Sequence, residues 1–202
     1  MNYLAHLFLS QYTPEFLIGG LLGDFVKGNV ESIYTGDIQK GIYFHRKIDV
    51  YTDTHNIFCS SKRLISPKRR RFAGILIDLF YDHFLAKNWS EYSNTELFIF
   101  SQHVYKVLQS NQDLLPESLK LILPNMISQD WLTSYREVAA VENALKRISA
   151  RVKRENDIKS GIEDLLSNYQ QLESNFLDFF CDLMSYTNNL YSQLDSANKK
   201  QI

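Results

Sequence analysis

Residues 41–55, GIYFHRKIDVYTDTH, constrain the fold more than any other part of the chain. Their apolar side chains have the spacing of a helix. On that helix His45 and Asp49 lie one turn apart on one face, which Asp53 extends by another turn. An imidazole and two carboxylates among apolar residues must be paired, hydrogen-bonded or bound to a cation, because burying an unpaired charge is costly. The rest of the chain is therefore expected to form a shell around this polar stripe.

A second polar pair with the same spacing occurs in residues 77–89, IDLFYDHFLAKNW. On the helix predicted there, Asp78 and Asp82 share a face one turn apart, and His83 follows Asp82 directly. Neighbouring buried carboxylates repel each other unless a positive charge lies near them. Two independent pairs of this kind require coordinated burial, as in helical bundles that hold metal ions in their interior.

A third polar position, Asp24, follows three closely spaced glycines in residues 19–28, GGLLGDFVKG. We expect this segment to belong to a helix that begins at Pro14, with Thr13 as its N-cap, and runs to about Lys27. Each glycine inside a helix costs about 0.5–1 kcal/mol relative to alanine. The three glycines therefore predict that another backbone or a ligand comes close to this turn.

The hydrophobic spacing along the chain is helical throughout, and no segment longer than a few residues alternates as a strand does. With 202 residues, 45% of them hydrophobic, the chain can bury a sizeable core, and only 8 Gly and 4 Pro argue against many tight turns. We predict an all-α, single-domain helical bundle over residues 1–202, with about eight to ten helices. The expected helices are 2–11, 14–27, 37–54, 56–65, 72–87, 94–109, 116–124, 138–152 and 158–196.

Composition excludes several classes of protein. Cys59 and Cys181 are far apart and form no CxxC motif, which argues against a disulfide framework and a thiolate zinc site. A net charge of −1 gives no reason to expect nucleic acid or a membrane as a partner. The apolar N-terminal residues lack the basic region of a secretory signal, and no apolar run reaches about 18 residues. We expect a cytoplasmic protein.

The polar residues in apolar helices suggest a metal-dependent reaction. A set of carboxylates and imidazoles without sulfur suits Mn²⁺, Fe²⁺ or Mg²⁺. Such a cation can activate water and orient a phosphate ester for attack. Lys27 and Arg46 are the expected ligands of the phosphate oxygens.

Each of these residues also has a structural explanation. His6, in the apolar N-terminal helix, is expected to pack in the core rather than bind a ligand. Asp24 can equally pair with a neighbouring cation, and Asp53 can simply cap the next helix. Asp82 can be an ordinary helix carboxylate, and the basic run 68–71 is most often a solvated face. The two pairs at one-turn spacing are harder to explain in this way.

Several motifs, in this order, resemble the acyl carrier protein phosphodiesterase family over essentially the whole chain. They are MNYLAHLFLS, GGLLGDFVKG, GIYFHRKIDVYTD, DLFYDHFLAKNW, WLTSYR, RISAR and NFLDFF. The resemblance implies an all-helical fold similar to the HD-type metal-dependent phosphohydrolases. It also implies hydrolysis of the phosphodiester that joins phosphopantetheine to a serine of holo acyl carrier protein, with a divalent metal, typically manganese. The sequence departs from the HD pattern in having Asp82-His83 in the reverse order, and Gly20 stands where Asn is expected.

The resemblance also implies roles for particular residues. The metal ligands implied are Asp24, His45, Asp49, Asp78 and Asp82. The catalytic residues implied are Asp24, Arg46, Asp82 and His83, and the substrate contacts expected are Lys27, Arg46, Arg69 and Arg70. An acidic carrier protein would dock on a basic surface, for which the candidates are Lys62, Arg63, Lys68, Arg69, Arg70 and Arg71.

Two other functions remain open from the sequence. One is a phosphohydrolase that acts on a nucleotide or another small phosphoester. The other is a non-catalytic helical binding module whose buried acids pair with Arg and Lys and bind no metal. The long C-terminal helix either closes the bundle or pairs with a second subunit, so a homodimer is also open.

Overall fold

The computed structural model describes residues 2–10 and 13–199, with side chains to residue 194, and this part of the chain contains eleven α-helices and no strand. The prediction of an all-α fold is confirmed. The α-helices are Tyr3–Leu9 (α1), Pro14–Leu22 (α2), Gly36–Thr54 (α3), Asn56–Leu64 (α4), Ala73–Lys87 (α5), Leu97–Ser110 (α6), Glu117–Ser128 (α7), Trp131–Ser134 (α8), Val138–Arg151 (α9), Ile162–Ser167 (α10) and Tyr169–Lys199 (α11). Short 3-10 helices span Pro67–Phe72, Trp89–Glu91, Gln112–Leu114 and Ile158–Gly161.

Helices α2 and α3 approach each other backbone to backbone at two glycines. A Cβ atom on Gly19 would lie 2.2 Å from the carbonyl oxygen of Ile38, and one on Gly41 would lie 2.3 Å from that of Phe16. Any larger residue at either position would therefore push the helices apart. The predicted close backbone approach is confirmed, and it brings the end of α2 beside the polar stripe of α3.

Helix α2 begins as predicted but ends earlier. The Thr13 hydroxyl accepts a hydrogen bond from the backbone N–H of Phe16 at 3.1 Å, and Pro14 occupies the first turn. The helix ends at Leu22 rather than near Lys27, so Asp24 lies in a turn after the helix.

Two other predicted boundaries are wrong. Helix α7 continues through Pro124, and the burial of Leu123 and Met126 beside it offsets the lost backbone hydrogen bond. Instead of the single helix predicted over 158–196, the structure has a 3-10 helix at Ile158–Gly161 followed by α10 and α11. The break before α11 lies at Asn168, whose side-chain amide donates to the Asp164 carbonyl at 3.0 Å.

The long helix α11 closes the bundle against α3, α4 and α5 of the same chain. Its Phe176, Phe179 and Phe180 are fully buried, and Tyr81 of α5 packs edge-on against Phe176. Burial of each phenyl ring contributes about 1.5–3 kcal/mol. Helix α1 packs on α2 and α5 and is buried along most of its length, so its only histidine lies inside the protein.

None of the helices in residues 2–10 and 13–199 combines the length and apolar character needed to cross a membrane.

Candidate metal centre

Two histidines from different helices stack in the interior. His6 of α1 is completely buried and His45 of α3 is 1% exposed. Their ring centroids lie 3.6 Å apart with an angle of 18° between the ring planes. Packing of α1 beside the α2–α3 pair brings the two rings together.

Two carboxylates complete this group, which we call the histidine–aspartate cluster: His6, His45, Asp49 and Asp24. One Asp49 oxygen lies 3.2 Å from Nε2 of His6, and the other lies 3.1 Å from Nε2 of His45. Asp24 contributes an oxygen 3.7 Å from Nε2 of His45. The Asp49 and Asp24 side chains are 43% and 37% exposed. The imidazoles of the cluster are therefore buried, and its two carboxylates form an exposed edge, which we call the rim.

The end of α2 fixes the His45 ring. Its Nδ1 lies 2.7 Å from the carbonyl oxygen of Gly20, which can only accept a hydrogen bond, so Nδ1 carries a proton and donates it. A Cβ atom on Gly23 would lie 2.1 Å from Cδ2 of the same ring. Gly20 thus orients the imidazole through its carbonyl, and Gly23 leaves the space in which the imidazole lies, with Nε2 turned towards the carboxylates.

The buried nitrogens of the cluster are poorly satisfied by the protein itself. Despite the short distances to Asp49, neither Nε2 atom makes a hydrogen bond of acceptable angle, and Nδ1 of His6 has no partner among the residues described. Buried polar atoms in folded proteins are nearly always hydrogen-bonded. Both Nε2 atoms are therefore available to a cation, and His45 also has the backbone acceptor at its other nitrogen that metal-binding histidines usually have.

The pKa values in the cluster are strongly perturbed. Burial, helped by the charge of His45, lowers the pKa of His6 to about 3. Burial also lowers the pKa of His45, but contact with Asp49 and the charge of Asp24 outweigh it and raise the net value. Burial alone would raise the pKa of Asp49, and its contacts with both histidines instead hold it well below the ordinary range. Burial raises the pKa of Asp24 to about 6.

The donor set fits a divalent transition metal. In the part of the chain that the structure describes, His6, His45 and Asp49 are the one group of three or more His, Cys, Asp or Glu whose ligand atoms converge, all within 4.8 Å of one another. Imidazole with carboxylate suits Mn²⁺, Fe²⁺ or Zn²⁺, and a two-histidine, one-carboxylate set leaves coordination positions open.

Comparison with known proteins identifies the family. The family model described as acyl carrier protein phosphodiesterase matches residues 1–183. The chain belongs to the acyl carrier protein phosphodiesterase family. This confirms the resemblance carried by the sequence motifs and makes the chain a member of an enzyme family.

Curated relatives with that name align along most of their length. One from Photorhabdus laumondii subsp. laumondii is 33% identical over 190 residues, covering 94% of this chain and 96% of the relative. One from Enterobacter sp. (strain 638) is 33% identical with coverage of 94% and 98%. One from Escherichia coli (strain K12 / DH10B) is 34% identical over 188 residues, with coverage of 92% and 96%. No solved structure matches the chain.

Of the five residues expected from the sequence to be metal ligands, three lie in the cluster and a fourth lies near it. The structure brings Asp24, His45 and Asp49 together. Asp78 of α5 is not among the residues whose ligand atoms converge, but it lies close enough for the charge of Asp49 to affect its pKa. Burial chiefly raises its pKa, and the charges of Asp49 and Asp53 raise it further.

Asp82 has a different place. Its carboxylate accepts the backbone N–H groups of Leu4 at 2.7 Å and Ala5 at 3.1 Å, the unpaired donors at the start of α1. Burial raises the pKa of Asp82 to about 7, although these two hydrogen bonds oppose the shift. Each oxygen thus accepts one backbone hydrogen bond from α1, which gives Asp82 a positioning role; its roles as metal ligand and catalytic residue stay predictions. It holds the helix that carries His6.

His83 and Arg46 also bind structural partners. Both ring nitrogens of His83 are occupied, Nδ1 by the Tyr135 carbonyl and Nε2 by the Tyr169 hydroxyl, each at 2.8 Å. The Arg46 guanidinium donates to the carbonyls of Gly28 at 2.9 Å and Val26 at 3.3 Å. Arg46 thus fastens the loop that follows Asp24.

The remaining predicted substrate residues divide by exposure. Lys27 and Arg70 are exposed, and the Arg70 Nε donates to the Ile65 carbonyl at 3.2 Å. Arg69 is 5% exposed, and its guanidinium lies 2.7 Å from both Asp157 and Asp164. The expectation that Arg69 faces solvent in a basic surface is wrong, because these carboxylates hold it inside.

His6 is the member of the cluster that sequence reasoning underrated. It is the one ionisable side chain in the helix YLAHLFL, where the apolar neighbours indicate only that it is buried. The burial of this lone ionisable side chain is the sequence signal that could have identified His6 as a site residue. The second imidazole and the carboxylate that give it a role come from α3, far along the chain.

Proposed function

We propose that this chain hydrolyses the phosphodiester between phosphopantetheine and a serine of holo acyl carrier protein, releasing apo carrier and 4′-phosphopantetheine. We propose further that the reaction requires a divalent cation, Mn²⁺, bound by the histidine–aspartate cluster. The supporting observation is the convergence of His6, His45 and Asp49. It occurs in a chain whose relatives are named for phosphodiesterase activity on acyl carrier protein.

The ligands proposed for the cation are Nε2 of His6, Nε2 of His45 and the carboxylates of Asp49 and Asp24. When bound, such a cation lowers the pKa of water and offsets negative charge on phosphoryl oxygens. The hydrogen bond from Nδ1 of His45 to the Gly20 carbonyl keeps the proton on that nitrogen and leaves the Nε2 lone pair available. Stacking on His45 restrains the orientation of the His6 ring.

The exposed rim is where substrate would meet the cluster. Asp24 is partly exposed and lies 3.7 Å from His45, so it is placed to take a proton from an attacking water. Lys27, three residues later in the same loop, is exposed and can offset phosphate charge. Arg46 acts indirectly, because its hydrogen bonds to the carbonyls of Val26 and Gly28 hold this loop in position.

The decisive experiment measures conversion of holo to apo carrier protein by mass spectrometry, with Mn²⁺, with Mg²⁺ and with chelator. We expect turnover with Mn²⁺ that is lost with chelator and in His6→Ala. A panel of nucleotides and small phosphoesters tested in parallel distinguishes hydrolysis of the carrier protein from the alternative, hydrolysis of a small phosphoester. Faster turnover of a nucleotide than of holo carrier would contradict the proposed substrate. Absence of both bound metal and turnover would favour a binding module.

Docking of the acidic carrier has its own test. With Arg69 buried, the exposed members of the basic run are Lys68, Arg70 and Arg71. Changing these three to Glu should raise KM for the carrier while kcat stays near the wild-type value, because the rim of the cluster is unchanged. Unchanged KM would show that the carrier docks elsewhere.

A further inference from the structure

Two arginines at the end of α9 are not used by the proposed function. Arg147 and Arg151 begin and end the RISAR motif and lie one helical turn apart. Helix α9 packs on α5 and buries Val141, Ala144 and Leu145. The two arginines therefore lie at the end of a helix that is fixed to the helix carrying Asp78 and Asp82.

Arg147 is partly buried, and among the described side chains it has no acidic partner. Its guanidinium carbon lies 4.2 Å from the centroid of the Trp131 ring, in a cation–π contact. Within the described residues, no carboxylate lies within 4 Å of the Arg147 or Arg151 guanidinium. Burial and the like charge of Arg151 lower the pKa of Arg147. Two neighbouring cations, one of them partly desolvated, form a site that a bound anion would stabilise.

Tyr3 links these arginines to the histidine–aspartate cluster. Burial and the charge of Asp24 raise the pKa of Tyr3 to about 12, while the charges of Arg151 and Arg147 oppose that shift. The hydroxyl is therefore within electrostatic range of Asp24 and of both arginines. The Tyr3 ring stacks on Phe25, the neighbour of Asp24, with centroids 5.9 Å apart. The arginines thus approach the cluster from its Asp24 side.

We propose that Arg147 and Arg151, with the Tyr3 hydroxyl, bind the phosphoryl oxygens of the substrate beside the histidine–aspartate cluster. This inference rests on the proposed function for its choice of ligand. Guanidinium groups match phosphate oxygens with paired N–H donors, and an aromatic wall keeps one of them oriented. By contrast, the Arg46 guanidinium already donates to two backbone carbonyls. The arginines of α9 replace Arg46 as the main phosphate ligands.

The test uses inorganic phosphate as the probe and the full chain in chelator, so that no bound cation can hold the anion. Phosphate should raise the melting temperature of the wild-type protein. Arg147→Met and Arg151→Met should each weaken phosphate binding about tenfold or more, and Arg151→Lys should recover part of the loss. Lys146→Met is the matched control, because Lys146 is exposed on the same helix and ion-paired with Glu142 at 2.7 Å. Since Arg151 is also exposed, its variant is expected to fold normally.

Kinetics with Mn²⁺ and holo carrier separate this inference from the proposed function. The two Met variants should raise KM about tenfold or more, with Lys146→Met unchanged. If the wild-type protein cleaves no carrier but phosphate binding still depends on both arginines, the anion site stands and the proposed function fails. If wild-type protein is not stabilised by phosphate, or both Met variants bind it as wild type does, the inference is overturned.

Discussion

His6 and His45 stack face to face with ring centroids 3.6 Å apart, and both present Nε2 to the carboxylate of Asp49. Two buried imidazoles at this separation cannot both be protonated without strong repulsion. The single carboxylate between them supplies one negative charge for what are potentially two positive ones. The pair therefore carries at most one proton charge: burial keeps His6 neutral, the form that binds metal ions, while Asp49 and Asp24 raise the pKa of His45.

Removal of the shared carboxylate should strongly weaken metal binding. Asp49→Ala is expected to weaken Mn²⁺ binding by about a hundredfold or more, since even the loss of an outer-shell partner costs tenfold to a hundredfold. Metal titration and turnover of holo carrier measure the effect. Asp53→Ala is the control, because Asp53 lies one turn further along the same helix but is 71% exposed. Equal losses in both variants would contradict the cluster as the metal centre.

The space that Gly23 leaves for the His45 ring should be essential. In Gly23→Ala, the new Cβ would lie 2.1 Å from Cδ2 of His45, so the ring must move and Nε2 must leave the cluster. We expect turnover to fall by about a hundredfold, since small misplacements of reacting groups have effects of that size. Gly74→Ala is the counterpart, because a Cβ there meets nothing within 4 Å. It should keep full activity and gain about 0.5–1 kcal/mol of stability.

Asp82 should behave as a positioning residue. Asp82→Ala leaves the buried N–H groups of Leu4 and Ala5 without their acceptor, and the free energy of unfolding should fall by about 1–3 kcal/mol. Asp82→Asn keeps one acceptor oxygen and should lose less. Chemical denaturation gives both values. A variant that keeps wild-type stability but binds Mn²⁺ as weakly as Asp49→Ala would instead identify Asp82 as a metal ligand.

The stability of the metal-free protein should depend on pH through His6. The pKa of His6 is lowered from its ordinary 6.5 to about 3, so the unfolded chain takes up this proton first as the pH falls. The contribution of His6 is fully present above pH 6.5 and is lost towards about pH 3, with a slope of about 1.4 kcal/mol per pH unit. The His6 contribution is the difference in unfolding free energy between wild type and His6→Phe at each pH, because the raised pKa values of Asp24 and Asp82 act in the opposite direction. His103→Gln, at an exposed position, should show no such change of the difference with pH. Urea denaturation in chelator across this range provides the test.

Arg69 should matter for stability rather than for substrate. In Arg69→Met the Asp164 carboxylate, 7% exposed, loses its cation, and the free energy of unfolding should fall by about 3–5 kcal/mol. Arg70→Met is the matched change at an exposed neighbour and should shift stability by about 0.5 kcal/mol or less. If the two variants have equal stability and Arg69→Met alone raises KM for the carrier, Arg69 binds substrate after all.

The sequence is sufficient for the parts of the fold that depend on local spacing. The turn-by-turn repeat in residues 41–55 predicts α3 and the shared face of His45 and Asp49, both of which the structure confirms. Thr13 and Pro14 likewise predict the start of α2. The glycines before Asp24 correctly indicate a close approach, because only a backbone contact or a ring justifies their cost in a helix.

The parts that sequence misses depend on which helices meet. The local sequence around His6 is that of any core histidine, and only the packing of α1 beside α3 places it next to His45. Asp82 has the spacing of a metal ligand, yet its partner is the start of another helix, a contact that no periodicity encodes. Arg69 lies in a basic run whose sequence predicts a solvent-exposed face. It is buried because Asp157 and Asp164, far along the chain, lie against its guanidinium.

The hydrogen bonds from the start of α1 to Asp82 also set an order of assembly. They join residues 77 and 78 positions apart, and α1 has only seven residues, too few to persist as an isolated helix in water. During synthesis the segment with His6 leaves the ribosome well before α5 exists to hold it. The hydrogen bonds that hold the start of α1 can therefore form only after Asp82 has been synthesised. We expect Mn²⁺ loading to report on a finished fold, and nascent chains that end before α5 to bind no metal at this centre.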